Sequence, residues 1–105
     1  MKEQQIQKFI IDYLRLKGWF VYKNSTVGIY KQSTGKYIPA QMRGVADLTA
    51  IKDGHVVQIE IKRPGGKQSE NQIIFADDWM SHGGHYVVIH DIDEVMGIRE
   101  NTILN

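Results

Sequence analysis

Gly44-Val45-Ala46-Asp47-Leu48-Thr49-Ala50-Ile51-Lys52-Asp53-Gly54-His55-Val56-Val57-Gln58-Ile59-Glu60-Ile61-Lys62 is the stretch whose reading decides the fold. Val45 to Lys52 and His55 to Lys62 each read as a strand, and Asp53-Gly54 between them is a favoured pair for a two-residue type I′ hairpin turn. The turn sets the register. If Lys52 pairs with His55, then Ile51 faces Val56, Thr49 faces Gln58 and Asp47 faces Glu60. Directly opposed residues have Cβ atoms about 4.5–5.5 Å apart, and like charges placed there destabilise a sheet unless something compensates. A cation is the simplest compensation.

Alternation along the second strand puts Lys62 on the face of Glu60, whereas Val57, Ile59 and Ile61 point to an apolar face. One face is chemical and the other is core. Carboxylate oxygens are hard ligands suited to magnesium or manganese. Magnesium commonly takes one or two carboxylates and completes its shell with water and substrate phosphate. A phosphate-bearing substrate is therefore expected.

The chain of 105 residues is long enough for one core and too short for two, so residues 1–105 are read as a single domain. It has no cysteine, which excludes disulfides and thiolate zinc sites and fits a reducing compartment. Met1-Lys2-Glu3-Gln4-Gln5 is too polar for a signal peptide, and no apolar run reaches membrane-spanning length, so a cytoplasmic protein with no membrane partner is expected. The formal net charge of +1 hides an uneven distribution. Residues 17 to 67 carry nine of the 13 basic residues and three of the 12 acidic ones, a local charge of +6 against −5 elsewhere. Two of those three acids are Asp47 and Glu60. A basic segment around an acidic pair suits a phosphodiester backbone, although solvated loop charge would give the same count.

Residues 3 to 17 read as an amphipathic helix through Ile6, Phe9, Ile10, Tyr13, Leu14 and Leu16, with Gly18 placed to end it. Trp19 to Tyr22 is a first strand. Between 24 and 43 lies a basic hairpin or ordered loop, with short strands on either side of Ser33-Thr34-Gly35. Pro64-Gly65-Gly66 breaks the central hairpin, and Ser69 opens a helix that runs to about His82. His85 to His90 is another strand, and a short helix is expected from Asp93 towards Glu100. The order predicts an α/β fold with a central mixed sheet flanked by helices on both faces. His82-Gly83-Gly84-His85 reads as a turn rather than a metal site, and Trp19 and Trp79 as core aromatics.

Together these segments resemble the VRR-NUC family of the PD-(D/E)xK nuclease superfamily. Gly44-Val45-Ala46-Asp47-Leu48 is similar to that family's glycine-to-aspartate motif, with Ala46 where proline is common in the superfamily. Glu60-Ile61-Lys62 matches the E-x-K element. Lys62-Arg63-Pro64-Gly65-Gly66-Lys67-Gln68-Ser69-Glu70-Asn71-Gln72 resembles the segment in which a lysine, a glycine-rich turn, a serine and a glutamine follow one another. Glu3-Gln4-Gln5-Ile6-Gln7 is similar to the E-x-x-I-Q opening of the first helix. The resemblance runs from Glu3 to about Ile89. It implies a restriction-endonuclease-like core and a magnesium- or manganese-dependent nuclease. It also implies a dimeric endonuclease acting on branched DNA, four-way (Holliday) junctions included. A nuclease-fold module that binds DNA or a partner without cutting is the alternative.

On that reading Asp47, Glu60 and the Ile61 backbone carbonyl hold the metal. Lys62 orients or activates the attacking water and offsets charge on the phosphorane. Gln72 has two roles open to it: it completes the capping box Ser69-Glu70-Asn71-Gln72, and in the family pattern it projects towards the metal. Glu3 is either an outer carboxylate of the site or an acid favoured by the helix dipole. Lys36, Arg43, Arg63 and Lys67, with Tyr37, are the candidates for the DNA backbone.

Overall fold

The structure, a computed structural model, describes residues 2–24, 29–31, 35–38 and 42–96. Its elements are α1 (Glu3–Leu16), β1 (Phe20–Lys23), β2 (Ile29–Lys31), β3 (Lys36–Ile38), β4 (Leu48–Lys52), β5 (His55–Ile61), α2 (Glu70–Ser81), β6 (His85–Ile89) and α3 (Ile92–Met96). Four strands form a sheet in the order β1-β4-β5-β6. The β1–β4 and β4–β5 pairs are antiparallel, and β5–β6 is parallel. The sheet is mixed, and α2 makes the crossover from β5 to β6. β2 and β3 pair separately as an antiparallel hairpin; the expected turn at Ser33-Thr34 and the stretch 97–100 of the last helix lie outside the described residues.

The β4–β5 register runs Lys52↔His55, Ile51↔Val56, Ala50↔Val57, Thr49↔Gln58 and Leu48↔Ile59. Asp53 at φ 50° and Gly54 at φ 81° give the two consecutive left-handed residues that a type I′ turn requires. The ladder is shorter than the strands expected from sequence. β4 begins at Leu48, with Val45 to Asp47 outside it. The reason is a pair of long-range bonds: Asn24 N–H donates to the Asp47 carbonyl at 2.9 Å, and the Asp47 carboxylate itself accepts the Ile61 N–H at 2.8 Å.

One face of the sheet is the core. Leu48, Ala50, Val57, Ile59, Ile61 and Ile89 pack with Val21, Trp19 and the α1 residues Ile6, Ile10 and Leu14. Those three helical residues are four apart and form one stripe. Each such side chain fully buried contributes about 1.5–3 kcal/mol. Leu16, expected on that stripe, is 86% exposed, because two residues beyond Leu14 a helix has turned to its opposite side. The end of α1 is built by Gly18 at φ 90°: Trp19 N–H reaches the Leu14 carbonyl at 2.9 Å and Gly18 N–H reaches Arg15 at 3.1 Å, a Schellman motif whose apolar contact is Leu14 with Trp19. The same motif moves the start of β1 from Trp19 to Phe20.

The other face is polar and still buried. Thr49, Gln58 and Glu60 are each below a tenth exposed. The groups of Thr49 and Gln58 are satisfied by a chain of hydrogen bonds centred on Asn24. Its amide donates to the Ala46 carbonyl at 2.9 Å and to Gln58 Oε1 at 3.0 Å, while its oxygen accepts from Thr49 Oγ1 at 2.7 Å. Gln58 Nε2 in turn donates to Thr49 Oγ1 at 2.8 Å. Buried polar groups persist only when paired in this way.

Candidate functional site

Asp47 and Glu60 meet at the end of β5, one residue past the last rung of the hairpin ladder. Asn24 fixes the backbone on both sides of that point through Ala46 and Asp47. The Asp47 Oδ2 atom is held by Ile61 N–H, so the aspartate is tied to the backbone of the very strand that carries Glu60.

Glu60 is 3% exposed. Its Oε1 accepts the Gln72 amide at 3.2 Å and lies 3.7 Å from the Lys62 ammonium. Its Oε2 is the one buried side-chain polar atom among the described residues that lacks a hydrogen-bond partner. Burial foremost, and then the Asp47 charge beside it, push the Glu60 carboxyl up to about 8 against the opposing pull of Lys62. Two acids are thus confined together, and one of their oxygens is left without a donor. The donor set fits a hard divalent cation. Among the described residues no three His, Asp or Glu side chains converge on one point, so any remaining ligands would come from backbone, water or substrate.

Gln72 completes the capping box and also reaches Glu60. Its carbonyl oxygen accepts Ser69 N–H at 2.8 Å while Ser69 Oγ accepts Gln72 N–H at 3.3 Å, and its amide reaches Glu60. The first turn of α2 is pressed into this position by Gly44. At φ 77° a Cβ on residue 44 would be strained, and it would overlap the Asn71 carbonyl.

Glu3 does not bond to Glu60 or Asp47; its Oε1 accepts the Arg63 N–H at 3.0 Å, which ties the start of α1 to the segment after β5. It nevertheless lines a cleft of about 170 Å³ together with Gln4, Gln7, Lys23, Asp47 and Ile61. Of the expected DNA contacts, Arg43, Arg63 and Lys67 are exposed, and the side chain of Lys36, like that of Tyr37, lies outside the described residues.

Two site neighbours escape a reading by motif. Asn24 sits in no recognisable pattern, yet it anchors the loop bearing Asp47. Tyr86, paired with Gln58 across the parallel ladder, accepts a hydrogen bond from Gln68 Nε2 at 3.0 Å. Burial and the nearby Glu60 charge raise its phenol to about 12, so it stays protonated. No local signal marks these residues, because each depends on a long-range approach.

A larger cavity of about 290 Å³ lies at the opposite end of β5, among His55, Trp79, His82 and His85. The His55 and His85 rings stand 6.1 Å apart, no carboxylate lines the cavity, and Gly83 at φ 93° makes the tight turn there. Trp79 N–H donates to the His85 carbonyl at 2.8 Å, and its ring stacks on Phe75, so the indole is structural. Among the described residues no helix is long and apolar enough to cross a membrane.

A solved VRR_NUC domain has the same fold: it superposes with a TM-score of 0.71 over 91% of this chain and 91% of its own, at 19% identity. No family model matches the chain. No curated protein sequence matches it. At this identity the shared property is the architecture, a mixed α/β sheet flanked by helices.

Proposed function

We propose that this protein is a magnesium- or manganese-dependent DNA endonuclease that hydrolyses phosphodiester bonds at the Asp47–Glu60 centre. The single observation that carries the reading is Glu60 Oε2, buried beside Asp47 with no hydrogen-bond donor, while Oε1 is held by Gln72 and faced by Lys62. Leaving such an atom unsatisfied costs about 1–3 kcal/mol, and a bound cation, displacing the proton that burial makes Glu60 retain, removes that cost. Asp47, Glu60 and the Ile61 carbonyl would hold the ion. When bound it would supply Lewis acidity to a phosphoryl oxygen and lower the pKa of water.

The chain's own groups do the rest. Lys62 extends from the same strand end as Glu60, with its ammonium 3.7 Å from Oε1, and would orient the attacking water and offset charge on the pentacovalent phosphorus. Gln72 keeps Glu60 from turning away. Tyr86 remains a neutral hydroxyl beside the acids and adds no third negative charge.

Branched DNA such as a four-way junction is the proposed substrate and a homodimer the proposed working form. A junction has near two-fold symmetry and needs paired incisions, which a C2 dimer supplies. Phe20, Tyr22 and Ile51 support a second copy: Phe20 pairs with Ile51, Phe20 is 65% exposed, and the three sit uncovered at the β1–β4 edge. Sedimentation showing monomer at micromolar concentration with junction cleavage intact would remove the dimer. We also place the protein in the cytoplasm, which the lack of cysteine fits and cell fractionation tests.

The deciding experiment is a cleavage panel of labelled junction, flap, duplex and single strand with magnesium or manganese. Wild type should cut at least one substrate, and Asp47→Asn should cut none while still binding DNA. Wild type that leaves every substrate whole would end the endonuclease reading.

A further inference from the structure

The cleft beside Asp47 has two unlike walls. One is made by Asp47 and Ile61, with Glu3 tied back to Arg63; the other is made by Gln4 and Gln7 of α1 and Lys23 at the end of β1. Lys23 pairs with Leu48 in the β1–β4 ladder, which puts it beside Asp47. Yet among the described residues Lys23 forms no ion pair with Asp47 or Glu3, and no described residue gives its ammonium or the two carboxamides a side-chain hydrogen-bond partner. Gln4 and Gln7, three apart, share one facet of α1. The helix spends its other side on the core through Ile6 and Ile10. A cation that shares a cleft with two carboxylates, pairing with neither, and with two amides uncommitted among the described residues, is arranged for an anion that enters between them.

We infer that Lys23, Gln4 and Gln7 form the seat of a nucleic-acid strand, with Lys23 on a backbone phosphate adjoining the bond at Asp47 and the two glutamines hydrogen-bonded to the same stretch of backbone. The inference rests on the reading of the Asp47–Glu60 centre as a phosphodiester-cleaving site, and it names the side from which the strand arrives. The ligand chemistry is a polymeric phosphodiester. A free phosphate or mononucleotide would satisfy Lys23 alone but would leave the glutamines idle. None of the three residues is in the metal-holding set. Lys23 and Gln4 are exposed, so their substitution leaves the core untouched.

The test is binding of a fluorescent DNA junction by anisotropy, over a series of salt concentrations, with calcium in place of magnesium. Wild type is compared with Lys23→Gln, with the double variant Gln4→Ala/Gln7→Ala, and with Lys8→Gln as a control on α1 outside the cleft. Thermal melts verify that each variant folds. Lys23→Gln should weaken binding several-fold and reduce the log–log salt slope by about 0.9, or about 0.7 on single strands. The glutamine variant should weaken binding with the slope unchanged, and Lys8→Gln should leave both as in wild type. Unchanged affinity and slope in the first two variants overturn the inference. So does displacement of DNA by mononucleotide at equal phosphate concentration. Cleavage assayed in parallel keeps the two readings separate: a Lys23-dependent slope without any cutting leaves the seat standing and ends the endonuclease reading, and cutting with no dependence on Lys23 does the reverse.

Discussion

Gln72 holds Glu60 and caps α2 with the same carboxamide: its nitrogen lies 3.2 Å from Glu60 Oε1 and its oxygen 2.8 Å from the Ser69 nitrogen. Helix initiation and the orientation of a buried carboxylate are thereby one event, and breaking either end separates their contributions.

Ser69→Ala removes the cap while leaving the Gln72 amide on Glu60. It should cost about 1 kcal/mol in urea unfolding and change activity little. Gln72→Ala should cost a similar amount of stability and in addition lower manganese affinity or turnover about 10–100-fold, the usual effect of losing a group that orients a ligand. Equal losses of metal affinity in both variants would contradict the division of labour.

Glu60 sets a pH dependence in the metal-free protein. Its folded pKa is about 8, above the ordinary value of 4.5. Between these values the unfolded chain has released a proton that the folded chain retains. Its stabilising contribution is therefore full below about pH 4.5, and stability falls as pH rises towards 8, by at most about 1.4 kcal/mol per pH unit for one group. Glu60→Gln should flatten that decline in unfolding curves measured at pH 5 and pH 8 without metal. It should also abolish cleavage.

Magnesium or manganese should raise the melting temperature of wild type. A ligand at about 100 times its Kd stabilises the folded state by about 2.7 kcal/mol. Asp47→Asn removes one of two carboxylates and should abolish most of the shift in differential scanning calorimetry. Calorimetry that shows no metal-dependent shift in wild type would contradict the assignment of the centre.

Gly44→Ala should destabilise the protein by about 1–3 kcal/mol, the cost expected for overpacking and for strain at a positive φ. The Asn71 carbonyl occupies the space a methyl group would need, so the first turn of α2 must retreat and draw Gln72 off Glu60. Activity should fall with stability in this variant, although residue 44 touches no substrate. Gly54→Ala, equally strained at φ 81° but with nothing within 4 Å of the added Cβ, isolates the overpacking part of the loss.

Much of this was legible in the amino-acid order, for identifiable reasons. The Asp53-Gly54 turn is local chemistry, and once its type is known the pairings from Lys52↔His55 to Thr49↔Gln58 follow by counting. The stripe Ile6, Ile10, Leu14 and the capping box at Ser69 are likewise short-range patterns. What could not be read depends on segments distant in sequence. Asn24 lies 34 residues from Gln58 and meets it only because β1 lies against β4. The early end of the ladder at Leu48 arises because the Asp47 carboxylate, rather than a backbone carbonyl, takes the Ile61 N–H. The cleft wall of Gln4, Gln7 and Lys23 combines a helix and a strand that no spacing rule relates.

The bend at Asp53-Gly54 acts as a ruler for the chemistry proposed at the far tip of its two arms. If an extra residue there is taken up by a one-step slide of β5 against β4, alternate side chains of β5 exchange sides: Glu60 would sink among the isoleucines while the greasy residues surfaced. The proposed catalytic competence is therefore gauged by the length of a remote loop, and an insertion at the bend that shifts the register should silence the protein as completely as deleting an acid.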